Sequence, residues 1–295
     1  MSRVLFVLTP QVHLLDLAGP AQVFSTAPGY ELLYYAEATP VPTWQGVPLV
    51  ASVSWPALDA GDLVLVPGWR DGYGQFTAAT LDRVAAHHAA GGTVASVCAG
   101  ADALGRAGLL DGRRCTTHHG LQERLARSHP AATVIRDVLY VSDDRVVTSA
   151  GIASGIDLAL HLVAQRHGPA AAALVAREMV VYARRNGDDH QESAMLRHRA
   201  HLSDVVHRVQ DHIDAAFTAS LPLSDLAATA GVSERTLTRL FTTATGRTPL
   251  RYQQLLRVER AEHLIGHGAT TESAARAVGF TDARMLRRLR LRSRA

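Results

Sequence analysis

Five short apolar runs, at residues 3–8, 32–35, 63–67, 93–97 and 146–149, punctuate the first 165 residues. They are rich in β-branched or aromatic side chains and bounded by turn residues. Between several of them lie alanine-rich stretches of helical period, such as 81–90 and 101–109. Continuous apolar strands separated by helices are the pattern of a mostly parallel sheet covered on both faces. Residues 155–182 continue as helices, with Pro169 near a helix start. From residue 204 onward no strand pattern remains. Apolar positions there recur at helical spacing, and Ser224, Ser233, Thr271 and Thr281 each precede a periodic run as capping candidates. The polar, aperiodic stretch that begins at Arg184 reads as a linker. The pattern predicts an α/β doubly wound domain over 1–183, a linker over 184–203 and an all-α domain over 204–295.

A length of 295 residues, 47% of them hydrophobic, supports two ordinary cores and excludes a disordered chain. No apolar run approaches the roughly 18 residues of a membrane span, so a cytoplasmic protein is expected. Cys98 and Cys115 are too few for a disulfide framework or, alone, a four-ligand zinc site, and no metal or cofactor is expected. The net charge of +3 hides an asymmetry. Residues 1–203 carry 16 Arg against 18 acids, whereas residues 204–295 carry 14 Arg against 9. A basic excess confined to one domain suggests an acidic partner for that domain.

Within the basic third, residues 224–246 read as helix, tight turn, helix. Gly231 takes the turn position, where positive φ is cheap for glycine, and Val232 plugs the angle between the helices. Leu237, Leu240 and Phe241 face inward, leaving Arg235, Thr238 and Arg239 outward. Forked donors and small hydroxyls on an outward face suit guanine edges and phosphates in a major groove. A long helix over 250–265 follows, with Tyr252, Leu255, Leu256, Val258 and Ala261 inward and Arg257 and Arg260 outward. A second helix-turn-helix begins at Thr271 and offers Arg284, Arg287 and Arg288 to phosphate. The run LSDLAATAGVSERTLTRLFTTATGRTPLRYQQLLRVERAEHLI, with ESAARAVGF after it, resembles the AraC family of transcription regulators over about ninety residues. The resemblance implies a double helix-turn-helix that binds double-stranded operator DNA. Arg290 stands where the family has an aromatic core residue, which predicts a thin second core and loose order over 281–295.

In the first domain, residues 93–101 read as a strand, a small-residue turn carrying Cys98, and a helix. A tight turn at a strand's carboxyl end exposes its side chain to the next helix N-terminus, and that dipole favours thiolate. The segments LLDLAGPAQVF, LVPGW, SVCAGADALGRAGLLDGRRCTTHH and VVTSAGIASGIDLAL resemble the class I glutamine-amidotransferase-like superfamily of PfpI-type proteins. That resemblance implies a flavodoxin-like fold and a pocket of Asp16, Gly68, Trp69, Cys98, Ala99 and His118. Asp16 would reach the Cys98 sulfur, and the N–H groups of Gly68 and Ala99 would line an oxyanion-binding spot. Peptidase-like members have histidine directly after the cysteine; Ala99 occupies that position here, so no base for amide hydrolysis is expected.

The order of the two domains resembles the GlxA-type branch of AraC regulators. It implies a transcription regulator whose first domain holds a small-molecule effector and forms a homodimer. The alternatives are an isocyanide-hydratase-like enzyme using Cys98 and Asp16, and a sensor in which oxidation of Cys98 is the signal.

Overall fold

A computed structural model describes residues 1–70, 76–181, 185–191, 198, 199, 201–266 and 268–293. The chain forms two compact units, Met1–Gln191 and Glu192–Ala295.

The first unit is built on a six-stranded sheet of order β2-β1-β5-β6-β10-β9. Its strands are β1 (Ser2–Leu8), β2 (Tyr30–Ala36), β5 (Leu63–Val66), β6 (Thr93–Val97), β9 (Tyr140–Asp143) and β10 (Val146–Ser149); outside it lie two short pairs, β3 (Val41–Pro42) with β4 (Pro48–Leu49) and β7 (Arg114–Cys115) with β8 (Thr133–Val134). All neighbours pair in parallel except β9, which closes the edge antiparallel to β10. Side chains alternate across β1, and both faces are buried. Val4, Phe6 and Leu8 pack with α1 (Leu14–Thr26), α5 (Ser154–His167) and α6 (Pro169–Glu178). Leu5 and Val7 pack toward α2 (Ala78–Ala89), α3 (Gly100–Arg106) and α4 (Gln122–Ser128) on the other face. Strand order reverses between β1 and β5, so the loops at their carboxyl ends diverge and leave a crevice there.

Among the described residues the second unit holds six helices: α7 (Asp204–Ala216), α8 (Leu223–Ala230), α9 (Glu234–Thr245), α10 (Pro249–Gly266), α11 (Thr271–Ala277) and α12 (Ala283–Ser293). Helix α10 is their common spine. Its Tyr252 and Leu256 join a first core with Val206, Ile213, Leu226, Leu237 and Phe241. Its Val258 and Ala261 join a second core with Ala274, Val278, Phe280, Leu286 and Leu289.

The structure corrects the sequence reading at three places. Arg257, expected outward, is half-buried between the two cores. Its guanidinium donates to the carbonyls of Phe217 (2.6 Å), Ala219 (2.7 Å) and Gly279 (2.8 Å) and lies over the Phe280 ring. The second core is also fuller than expected, because Ala274, Ala275 and Val278 are buried in it beside Phe280, Leu286 and Leu289. Arg290 takes the missing aromatic's place by pairing with Glu262 at 3.2 Å. The stretch 184–203 is docked at both ends, with residues 184, 192–197 and 200 outside the described residues. Arg185 pairs with the buried Asp157 of the first unit, and Arg199 pairs with Asp211 and Asp214 of α7. Both docks are polar, and apolar periodicity is blind to them.

Arg257 therefore holds the second helix-turn-helix to the first. Arg257→Ala should cost about 2–3 kcal/mol of local stability, since three charge-assisted bonds to carbonyls are lost. Amide exchange in the full chain checks this: α11 and α12 should exchange roughly 30- to 150-fold faster while α8 and α9 keep their protection. Equal acceleration of all helices would assign Arg257 to general packing.

Candidate ligand site and candidate nucleic-acid interface

The first unit's site forms where β6 meets α3. Cys98 follows the last residue of β6 with φ +55°, a backbone region that a residue with a Cβ enters only under strong local constraint. The constraint is visible on both sides of the peptide. Cys98 N–H donates to Ser149 O at 3.0 Å, and the Thr117 hydroxyl donates to Cys98 O at 2.7 Å. A Cβ on Gly100 would lie 2.1 Å from Val66 O, so only glycine lets α3 start this close to β5. Glycines also clear the space around the thiol. A Cβ on Gly68 would lie 2.3 Å from Asp16 Oδ2 and 2.6 Å from Cys98 Cβ, and one on Gly151 would lie 3.0 Å from Sγ.

Asp16, in the first turn of α1, is fully buried against that thiol. Its Oδ1 accepts from the Ile152 N–H at 2.6 Å. Its Oδ2 is turned toward the Cys98 thiol and the Gly68 N–H but makes no hydrogen bond of ordinary geometry. Burial pushes the Asp16 carboxyl up to about 6, against the lowering effect of those three donors. Burial, and then the Asp16 charge, push the Cys98 thiol well above the usual range. The Ala99 N–H at the start of α3 lowers it, but by less. The expected thiolate is thus corrected to a protonated thiol: one backbone N–H does not offset a dry site and an adjacent carboxylate.

The other expected pocket residues divide. Gly68 and Ala99 stand against the thiol. The Trp69 ring is buried among the core residues of the α2/α3 face, edge-on to Phe76 at 5.7 Å. His118 is half-buried, its Nδ1 accepts from the Gly120 N–H at 3.2 Å, and its ring lies 4.1 Å from that of His119. Thr117, Gly151 and Ile152 were missed. The last two lie in the quoted segment VVTSAGIASGIDLAL, whose small-residue turn after a strand was the available signal.

In the second unit, Gly231 turns the chain with φ +68° and ψ +31°, and Ser233 caps α9 by accepting from the Thr236 N–H. Leu237 and Phe241 are buried. Arg235 and Arg239 are exposed and Thr238 is half-buried on the opposite face. Neither arginine has an acidic partner among the described residues. Glu234, Thr242 and Thr243, not singled out in the sequence, line the same shallow groove. The arginines of α12 are differently placed. Arg284 pairs with Asp282 at 2.6 Å and Arg287 with Glu272 at 2.5 Å, while Arg288 is exposed against Met285 Sδ.

Asp16 yields a signed pH prediction. Between its unfolded value near 3.8 and its folded value of about 6, the folded state binds the proton more tightly, so stability falls as pH rises through that window. Asp16→Asn keeps the acceptor for Ile152 and removes the charge. It should stabilise the first unit by about 2–3 kcal/mol at pH 7.5 and by almost nothing at pH 4. All three tryptophans, Trp44, Trp55 and Trp69, lie in this unit, so urea unfolding followed by tryptophan fluorescence reports it selectively. A pH-independent difference would refute the assignment.

Comparison with known proteins agrees with this architecture. Residues 2–165 match the DJ-1/PfpI family, and residues 226–292 match a helix-turn-helix domain. The chain is 29% identical over 234 residues to the HTH-type transcriptional regulator CdhR of Pseudomonas aeruginosa, covering 78% of this chain and 68% of that protein. It is 35% identical over 173 residues to isonitrile hydratase of Pseudomonas putida, covering 58% of this chain and 74% of that one. A solved AraC family transcriptional regulator from Pseudomonas putida shares the fold over 61% of this chain and all of its own, with a TM-score of 0.53 at 24% identity. The chain therefore belongs to the DJ-1/PfpI family, in a form that carries an AraC-type helix-turn-helix domain behind the α/β unit.

Proposed function

We propose that this protein is a sequence-specific DNA-binding transcription regulator that senses a small molecule at the Asp16–Cys98 site. The carrying observation is the exposed face of α9, where Arg235 and Arg239 stand one helical turn apart with no acidic partner among the described residues. Each is free to give both guanidinium donors to a guanine edge or a phosphate. Thr238 and Thr242 add hydroxyl donors to the same groove. The relatives named as transcription regulators support the same reading. Two copies pair through the first unit and present two such helices to a two-fold operator.

The first unit suits binding better than turnover. The thiol is protonated, and the only titratable group that shifts it is a buried carboxyl. The unpartnered Asp16 Oδ2 is a buried acceptor that a ligand donor or a water would satisfy. One observation favours a second reading: the 35% identity over 173 residues to a protein named isonitrile hydratase. Rapid hydration of a simple isonitrile by the full chain, lost in both Cys98→Ser and Asp16→Asn, would make the unit an enzyme.

The DNA reading is tested with sequences selected by the full chain from a random pool. Arg239→Ala should lose about 1–3 kcal/mol on a selected site, roughly 5- to 150-fold, with little loss on random DNA. Arg288→Ala should weaken both alike and lower the salt slope by about one. Equal losses from the two variants on random DNA would reduce α9 to a phosphate contact, and failure to select any sequence would remove the reading.

A further inference from the structure

The last seven residues of the first unit, 185–191, lie along it rather than leaving it, and their bonds lead back to Cys98 by two routes. By the first, the Gln191 side-chain amide donates to Thr117 O at 2.9 Å, and the Thr117 hydroxyl donates to Cys98 O. By the second, Gly187 O accepts from the Leu139 N–H at 2.8 Å and the Tyr140 N–H at 3.2 Å. Leu139 O in turn accepts from Ala150 N–H, and the adjacent Ser149 O accepts from the Cys98 N–H. Gly151 and Ile152, next along, touch the thiol and Asp16. Arg185 anchors the near end of the segment on Asp157, and His190 pairs with Asp137 at 2.8 Å.

From these bonds we infer that residues 185–191 are a strap that couples the Cys98 elbow to the DNA-binding unit. The inference rests on the regulator reading and adds the route by which the site acts. Three observations carry it. The strap is the stretch of chain immediately before the boundary with the second unit, so the covalent path between the units runs through it. Of its two contacts, Thr117 itself holds Cys98 at positive φ, and Leu139, beside the start of β9, bonds Ala150, the neighbour of the Ser149 that holds the Cys98 N–H. The fit is also tight and incomplete at once. A Cβ on Gly187 would lie 2.7 Å from Tyr140 O, whereas Gln191 Oε1 is buried with no partner. A largely exposed segment held by hydrogen bonds and ion pairs, with one buried polar atom unsatisfied, is one that a shift of the elbow can release. Release adds seven residues to the tether, about 3.3–3.6 Å of reach for each, and so frees the second unit from a fixed point of departure.

The test uses the full chain and needs no effector, because Thr117→Val perturbs the elbow and Gln191→Ala perturbs the strap. Amide exchange at Leu139 and Tyr140 should accelerate at least about fivefold in both variants, with Leu5 and Leu65 in the central strands unchanged. Thr117→Ser, which keeps the hydroxyl, should behave as wild type. Affinity for a DNA site selected by the wild-type chain should shift at least about fivefold, in the same direction, in both variants. If Thr117→Val leaves the two amides protected, the elbow does not hold the strap and the inference is wrong, whatever the DNA result. If the amides open but affinity stays within about twofold, the strap is packing and transmits nothing. If the wild-type chain selects no DNA, the regulator reading falls and takes the strap's role with it, while the exchange data alone still show whether elbow and strap are linked.

Discussion

A cysteine at φ +55° has to be held, and much of the first unit can be understood as what holds it. The parallel strands β5, β6 and β10 put three carboxyl ends side by side, and the Cys98 peptide is clamped between Ser149 O and the Thr117 hydroxyl. Gly68, Gly100 and Gly151 are needed because the chain passes within van der Waals distance of the elbow at three points. Holding the turn this closely has a chemical consequence. Cys98 and Asp16 are buried, and that burial raises the carboxyl to about 6 and pushes the thiol up. One geometric constraint thereby sets both the backbone and the acid–base state of the site.

The second unit depends on a different device. Two small helix-turn-helix cores are each too small to fix their mutual angle, and α10 gives residues to both. Arg257 sits where they meet and satisfies carbonyls from both sides, two at the end of α7 and one at the turn after α11. Gly279 allows this contact, because a Cβ there would lie 1.9 Å from Thr218 O. Burial lowers the Arg257 pKa, but with three carbonyls and the Phe280 face around it the guanidinium is solvated by the protein itself.

What could be read in the sequence follows from the range of each interaction. The strands, the elbow, the Gly231 turn and the inward set Leu237 and Phe241 are local patterns of period or spacing, and they were legible. Trp69 was not, since an aromatic after a strand-end glycine can turn to a pocket or to the core with the same neighbours in sequence. Arg257 falls on a polar position of its helix, and only the carbonyls 22 to 40 residues away bring it inward. The stretch 184–203 looks like a linker because its docking is polar: Asp157, Asp137, Asp211 and Asp214 are its partners. The thiol's charge state was misjudged for a similar reason. The helix N-terminus is visible in sequence, whereas the dryness of the site is a property of the packed fold. The caps were legible in part: Ser233 caps α9 as expected, whereas Ser224 lies inside α8, whose cap position is Pro222, and Thr270 rather than Thr271 caps α11.

The two helix-turn-helix units also differ in how available their cations are. On α9, Arg235 and Arg239 face solvent in a groove that Glu234 also lines, and neither has an ion-pair partner among the described residues. On α12, Arg284 and Arg287 are already paired, and Arg290 is tied to Glu262 inside the fold. A phosphate that recruits Arg284 or Arg287 must break an existing ion pair and leave Asp282 or Glu272 facing the duplex. Exposed pairs are worth little, so the exchange itself is inexpensive, but the uncovered carboxylate repels the backbone it now faces. The net positive potential of α12 is therefore smaller than its count of arginines, and a duplex laid against both helices would meet less free positive charge on α12 than that count gives.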